Sequence, residues 1–322
     1  MSNPIPSEIA AIIVDHAADD TATLKNLALT SPDFCALAQS HIFSTVVING
    51  RSRQDRLGFF EELLMGDQDR GAVIAGYIRH LALFFCDEWF AEVDEDQEDD
   101  QAEGGSGEGE GEDKDEGDGQ GGGEGPVQSP EPEPAERDEE EDIGDSESED
   151  SPGPEVFDTV IAFISAHIKR LHSIHLGPFS DVLLEWSELS CSTQDAITRL
   201  LTSAEGIALE GVANIPVTLF WKLGALKSLE LSDVIPSLSF ANLAPASSLP
   251  APTSLAIHAG MFAFSPDDMW DMTSFLHNMT YGGFLDFSHL TTLYLHLIDN
   301  PNRNRMIKQL LVIANRLQSL RA

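Results

Sequence analysis

Histidines are the residues with the clearest capacity for chemistry in this sequence. His172 and His175 are three positions apart, His167 lies just before them, and His80 lies further upstream. Closely spaced imidazoles are typical zinc ligands, provided that they converge on one point. Positions three apart on a β-strand face opposite sides of the sheet, so these two side chains are expected to diverge. The spacing favours surface or strand-edge histidines, and we predict no metal and no cofactor.

The potential nucleophiles form no catalytic pattern. Cys35, Cys86 and Cys191 are few, odd in number and widely spaced, which suits a reducing compartment better than a disulfide framework or a cysteine zinc site. The chain has no glycine-rich loop followed by Lys-Ser/Thr, no G-x-S-x-G and no H-E-x-x-H. The glycines between Gly104 and Gly125 belong to a low-complexity run, without the flanking strand and helix of a phosphate site. We therefore predict that the protein is not an enzyme.

Acidic residues dominate one segment of the chain. Residues 91–150 contain 28 Asp and Glu against Lys114 and Arg137, so this segment carries −26 of the net charge of −37. Sequence-independent nucleic-acid binding needs clustered Lys and Arg, and we expect none here. Because the segment is nearly devoid of apolar residues and its charges repel, it is predicted to be a disordered insertion. It is open whether the insertion is simply solvated, docks basic partners, or condenses divalent cations weakly.

A recurrent L-x-x-L-x-L motif organises the rest of the chain. The last two apolar positions of each copy point to the same side of an extended strand, and one strand cannot bury that side alone. Stacked copies can, which predicts a solenoid of leucine-rich repeats. Successive copies are separated by 22 to 38 residues where the insertion does not intervene. The copies are Ile78–Leu83, Leu171–Leu176, Ile207–Leu209, Leu226–Leu231, Leu255–Ile257 and Leu290–Leu295, with Leu317–Leu320 beginning another.

Helices are predicted between these strands. Apolar spacing indicates an amphipathic helix over 54–65, followed by a connection through Gly71–Gly76 into a strand over Tyr77–Phe85. A further helix is expected around Val156–Ile164, and others over Val217–Leu223 and Met306–Arg316. The helices would cover one face of the stacked strands.

The N-terminal residues predict a compact unit of three short helices. Pro6 and Ser7 open the first, Asp19-Asp20-Thr21 caps the second, and Pro32 begins the third. Phe43–Ile48 is predicted to be a short strand, closed by a turn at Asn49-Gly50. Three helices of this size bury little apolar surface alone, so they are expected to pack on a neighbour.

Three stretches of this unit resemble an F-box, in the divergent form that precedes leucine-rich repeats in many fungal proteins. The family opens with Leu-Pro-x-Glu-Leu, and this chain has Ile5 and Ile9 in place of the two leucines. Phe34 stands where an aromatic residue, often Trp, is usual, whereas Ala17 and Ala18 are smaller than the family's residues. The stretches are Ile5-Pro6-Ser-Glu8-Ile9, Leu29-Thr-Ser-Pro-Asp-Phe34 and His41-Ile42-Phe43.

The resemblance implies a protein that joins a Skp-type adaptor subunit of a cullin-based ubiquitin ligase to a protein target. Five apolar residues match adaptor-facing positions of the family, and each of them could equally belong to the core of the helices. A leucine-rich-repeat scaffold that binds basic partners through its acidic tract, unrelated to ubiquitylation, is the alternative. The five residues are Pro6, Ile9, Ile13, Leu24 and Leu27.

The predicted fold class is α/β: a three-helix F-box-like unit, then an irregular leucine-rich-repeat solenoid with a long acidic insertion. The N-terminus lacks a secretory signal and no apolar run approaches the roughly 18 residues of a membrane span, so we expect a cytoplasmic or nuclear protein. The predicted domains are the F-box-like unit (1–50), a first repeat (51–86), the acidic insertion (87–154) and the repeat array (155–322).

Overall fold

A computed structural model of the 322-residue chain forms the basis of the description. The described residues belong to one compact unit, Met1–Ala91 with Glu149–Ala322. The predicted acidic insertion lies outside them up to residue 153, as does the predicted helix Met306–Arg316 except for Lys308. The described ranges are 5–50, 54–86, 154–180, 182–237, 249–259, 284–297, 308 and 319–321.

The architecture is mixed α/β, with helices packed on a parallel sheet. The α-helices are α1 (Ser7–His16), α2 (Thr21–Ala28), α3 (Pro32–Ile42), α4 (Gln54–Met65), α5 (Gln68–Tyr77), α6 (Pro154–His167) and α7 (Cys191–Ser203). Short 3-10 helices occupy Trp186–Glu188, Val217–Lys222 and Phe287–His289. The strands are β1 (Thr45–Asn49), β2 (His80–Phe85), β3 (Leu171–Pro178), β4 (Leu184–Glu185), β5 (Ala204–Glu210), β6 (Val212–Pro216), β7 (Ser228–Ser232), β8 (Ile235–Ser237), β9 (Ser254–Ala259), β10 (Thr292–Leu297) and β11 (Ser319–Arg321).

The main sheet has eight strands in the order β1-β2-β3-β5-β7-β9-β10-β11, and every pair is parallel. Each strand therefore lies beside the next main-sheet strand in the sequence. The three remaining strands, β4, β6 and β8, form a second small parallel sheet that the sequence did not predict. The chain enters β6 through Gly211 (φ 55°), and Asp233 has a similar backbone (φ 49°) before β8. This left-handed conformation favours glycine and turns the chain from one sheet into the other.

Equivalent positions of the sequence motif lie opposite each other in the main sheet. Their side chains form continuous buried rows, because alternate residues of each strand point into the same side. None of the six side chains in the row that ends the motif is more than 1% exposed. Burial of each contributes about 1.5–3 kcal/mol. This row is Leu83, Leu176, Leu209, Leu231, Ile257 and Leu295.

Helices α4 to α7 share the core of these rows. The helix predicted around Val156–Ile164 is confirmed as α6, and its Phe157 ring packs edge-on against Phe85 of β2 at 4.8 Å between centroids. Ser190 caps α7, and its hydroxyl also donates to Asp158 of α6 at 2.8 Å. Thr193, which is 1% exposed, donates its hydroxyl to the same carboxylate, so the two helices are joined by a shared polar network.

The segment before β2 differs from the prediction. Gly71–Gly76 belongs to helix α5 and not to a connection, and β2 begins at His80 rather than Tyr77. Asp67 caps this helix by accepting from the Arg70 backbone N–H. A Cβ on Gly71 would lie 1.9 Å from the Leu64 carbonyl oxygen of α4, so glycine is needed for the close approach of two helices. The glycines suggested a turn in the sequence, whereas the glycine at position 71 is explained by the packing of α5 on α4.

Helices α1 to α3 have a small core of their own, formed by Ala10, Val14, Leu24, Phe34 and Ala38. Asp20 caps α2, within the predicted cap Asp19-Asp20-Thr21, and α3 begins at Pro32 as predicted, with Ser31 as its cap. The strand that follows, β1, is the edge strand of the main sheet and pairs with β2. The N-terminal helices and the sheet are therefore continuous through β1.

Candidate interaction surfaces

Helix α1 presents its largest side chains to solvent. Ile5, just before the helix, and Ile9, Ile12 and Ile13 within it are 49%, 48%, 52% and 39% exposed, and we call these four the isoleucine face. The smaller Ala10 and Val14 lie in the core of the three-helix unit. A helix with this sequence would ordinarily bury its branched aliphatic residues. A contiguous exposed apolar surface is a typical sign of a protein-binding site.

The structure divides the five predicted adaptor-binding residues into two groups. Pro6 is exposed at the start of α1, beside Ile9 and Ile13 of the isoleucine face. Leu24 is 2% exposed and belongs to the small core. Leu27 is half-buried and packs against that core. Pro6, Ile9 and Ile13 are therefore available to a partner, whereas Leu24 and Leu27 contribute to the core.

Local polar contacts hold α1 and α2 in place. Asp15 of α1 pairs with His41 of α3 at 3.1 Å, which links the first and third helices. The Thr23 hydroxyl and backbone N–H donate to the Asp20 carboxylate and hold its pKa below the ordinary value. These contacts lie near the helix ends and involve none of the four isoleucines.

A second candidate surface is the open face of the main sheet, opposite the buried rows. Small side chains occupy much of it, including Ala82, Ala208 and Ala256 in one cross-strand row. The strands β1, β2, β3, β5, β7, β9 and β10 contain no lysine or arginine. Their charged side chains on this face are carboxylates and histidines.

Two histidine–glutamate pairs bridge neighbouring strands of the open face. His175 Nε2 of β3 lies 3.0 Å from Glu210 Oε2 of β5, and His258 Nε2 of β9 lies 3.2 Å from Glu230 Oε1 of β7. Aromatic rings flank both pairs. Phe84 meets His175 edge-on at 5.1 Å, and His258 lies 5.2 Å from Tyr294 and 5.8 Å from His296. We call this set the histidine–glutamate strip: Phe84, His175, Glu210, Glu230, His258, Tyr294 and His296.

The histidines that suggested metal chemistry have separate partners. His175 pairs with Glu210, whereas the His172 ring lies 5.7 Å from the ring of His80. His167 is elsewhere, on α6, where its Nδ1 lies 2.8 Å from the Phe163 carbonyl oxygen. Within the described ranges, no three His, Cys, Asp or Glu side chains are grouped so that they could hold a metal ion.

An ionic cluster lies at the start of the central strands. Glu205 is bonded by Lys227 Nζ at 2.9 Å and by the Arg170 guanidinium, and its side chain is 15% exposed. Lys227 and, next, Arg170 lower the pKa of Glu205 below its ordinary value. The Glu205 carboxylate bridges both cations, and these contacts join the ends of neighbouring strands.

A groove of about 400 Å³ lies on the helical side, beside α6. Its ionisable side chains already have partners: Asp158 accepts from Ser190 and Thr193, and His167 contacts the Phe163 carbonyl. The rest of the lining is largely apolar. Its lining is Met65, Asp158, Thr159, Ala162, Phe163, Ala166, His167 and Ser192.

Comparison with known proteins adds no family assignment. No family model matches the chain, and no curated protein matches it with significant similarity. In the part of the chain that the structure describes, no helix combines the length and apolarity needed to cross a membrane.

The histidine–glutamate strip was not recognised in the sequence, although a signal was present. Aligning the copies of the repeated motif places Ala82, His175, Ala208, Glu230 and Tyr294 at one position. That column identifies the residues of one row. It does not show which histidine meets which glutamate, because each pair is diagonal and joins different rows.

Proposed function

We propose that this protein is the substrate-recognition subunit of a cullin-based ubiquitin ligase. The N-terminal unit acts as an F-box and binds a Skp-type adaptor through the isoleucine face and Pro6. The rest of the chain is a degenerate leucine-rich-repeat solenoid whose open face holds the target. The protein performs no covalent step itself and raises the concentration of the target beside a transferase.

The isoleucine face is the observation that carries this proposal. Ile5, just before α1, and Ile9, Ile12 and Ile13 on α1 are exposed, whereas the core of the unit is made by Ala10, Val14 and their neighbours. Interfaces commonly concentrate apolar anchors on such a helix. The matching residues of the F-box resemblance, Pro6, Ile9 and Ile13, are all exposed.

The order of the main sheet supports the second half of the proposal. Sequential parallel strands, each preceded by covering structure, are the arrangement expected of stacked repeats. Their open face is wide and polar, whereas helices cover the opposite face. Such a surface can hold a protein target at a fixed distance from the N-terminal unit.

Adaptor capture by the full-length protein tests the proposal. We expect Ile9→Asp and Ile13→Asp each to weaken binding of a purified Skp-type adaptor at least about tenfold, because a carboxylate would be buried in an apolar contact. Both residues are exposed, so folding should survive, and thermal unfolding checks this. Val73→Asp is the matched control, since Val73 is 52% exposed on α5, outside the N-terminal unit.

Two outcomes would contradict the adaptor function. One is no capture by the folded wild-type protein, which would favour a repeat scaffold that binds basic partners without ubiquitylation. The other is capture that Val73→Asp impairs as strongly as Ile9→Asp does, which would locate the contact away from the isoleucine face.

A further inference from the structure

We propose that the histidine–glutamate strip binds an extended basic segment of the target, with two arginine or lysine side chains placed against Glu210 and Glu230. The inference names the class of target for the open face, and to that extent rests on the proposed function. The binding chemistry itself does not depend on the adaptor.

The two carboxylates are available to cations. Their side chains are 42% and 51% exposed, and each uses one oxygen for its histidine. The other oxygen of each has no hydrogen-bond partner among the described residues. The two carboxylates lie on β5 and β7, and neither strand contains a lysine or arginine. The charge of these two strands is therefore complementary to a basic segment.

The spacing of the carboxylates suits an extended chain. Ala208 lies opposite Glu230, so Glu210, two residues further along β5, is its diagonal neighbour. Diagonal neighbours lie about 7–8 Å apart, and alternate side chains of an extended peptide repeat every ~6.6 Å. Two basic residues separated by one residue can therefore reach both carboxylates. Small neighbours, Ala208 and Ala256, leave space above the sheet for the peptide backbone.

The histidines and rings give the strip a defined shape. The His175 imidazole is hydrogen-bonded to Glu210 at 3.0 Å, and His258 lies 3.2 Å from Glu230, so one oxygen of each glutamate is placed against a histidine. Phe84 at one end and Tyr294, 38% exposed, at the other place aromatic rings beside the pairs. Guanidinium and ammonium groups are attracted to aromatic faces, so the rings add to the binding of the flanking basic residues.

Fluorescence anisotropy of the full-length protein with a labelled peptide tests the inference. The probe is a serine peptide with two arginines separated by one residue, and the reference peptide has citrulline at both places. At ~0.15 M salt, where long-range attraction is largely screened, we expect Glu210→Gln/Glu230→Gln to weaken binding of the arginine peptide roughly tenfold. The citrulline peptide should bind weakly to both proteins.

The acidic segment 91–150 also attracts cations, so a charge-matched control is essential. Glu62→Gln/Glu188→Gln removes the same charge from exposed sites outside the main sheet and should leave peptide affinity within about twofold of wild type. Equal affinity of all three folded proteins would overturn the inference. So would equal losses in both double variants, which would indicate binding through net charge alone.

Measuring adaptor capture with the same proteins separates this inference from the proposed function. If the protein captures the adaptor but its affinity for the arginine peptide does not depend on Glu210 and Glu230, only the proposed role of the histidine–glutamate strip is overturned. Peptide binding that depends on these residues, in a protein that captures no adaptor, would support the strip and overturn the ligase role.

Discussion

At the scale of single residues, three glutamates on the strands of the main sheet contact basic side chains or histidines on, or just before, neighbouring strands. Glu205 accepts from Lys227 and Arg170 where the central strands begin, whereas Glu210 and Glu230 lie 3.0 and 3.2 Å from histidines on the open face. The first group joins strands by opposite full charges. The second leaves carboxylate oxygens available, and this difference distinguishes a structural cluster from a candidate recognition strip.

The ionic cluster at Glu205 predicts a pH-dependent contribution to stability. Its pKa is lowered from the ordinary value of 4.5, so the stabilisation is present above that pH and is lost as pH falls through the lowered pKa. We expect Glu205→Gln to lower the melting temperature near neutral pH, and this deficit to shrink steadily in acid. Thermal unfolding followed between about pH 7 and pH 3 measures it.

Glu188→Gln is the control for this series, because Glu188 is exposed and has no cation beside it among the described residues. It should shift the melting temperature little at any pH. A Glu205→Gln deficit that is the same in acid as at neutral pH would contradict the role of the charge.

At the scale of helices and strands, close packing accounts for features that local preference does not. Helix α5 contains both Gly71 and Gly76, which lower its intrinsic stability. Gly71 is buried where α5 meets the Leu64 carbonyl of α4, whereas Gly76 has open space beside it. Close packing against α4 therefore requires glycine at position 71, whereas no neighbouring atom requires it at position 76.

These two glycines form a matched test. Gly71→Ala should destabilise the protein by about 2 kcal/mol or more, because the new Cβ collides with backbone that must move. Gly76→Ala should be neutral or stabilising by up to ~1 kcal/mol, since alanine favours the helix and meets nothing within 4 Å. Urea unfolding of both variants measures the difference, and equal effects would show that α5 does not approach α4 so closely.

At the scale of the whole molecule, the buried apolar residues of the described ranges form two cores of very different size. The larger unites the main sheet with α4 to α7, and the smaller contains five buried residues of α1 to α3. Stability in such a molecule is not uniform, since a small core opens at lower free-energy cost than a large one. An opening that leaves the sheet intact would let the N-terminal unit adapt to an adaptor.

Hydrogen exchange can test this division. Val14→Ala should cost about 2 kcal/mol within the small core, and should accelerate amide exchange in α1 to α3 while leaving β3 and β5 unchanged. Val160→Ala, in the large core, should instead reduce the protection of the sheet. Uniform acceleration across the chain by Val14→Ala would show that the two cores open together.

Short-range patterns in the sequence were sufficient to predict several elements. The L-x-L alternation identified β2, β3, β5, β7, β9, β10 and β11, because period-two alternation directly determines which side chains share a face. The cap at Asp19-Asp20-Thr21 marked the start of α2, because a side-chain oxygen reaches backbone N–H groups two or three residues away, and Pro32 marked the start of α3. The α6 helix followed from its apolar spacing.

Tertiary structure alone decided which surface of each element meets solvent. In α1 the isoleucines are more apolar than Ala10 and Val14, so helical periodicity would bury the face that is in fact exposed. Helix α5, the second sheet and the histidine–glutamate pairs depend in the same way on neighbours distant in sequence. Local sequence determines the conformation of an element, whereas the packing partner determines which of its residues remain available for binding.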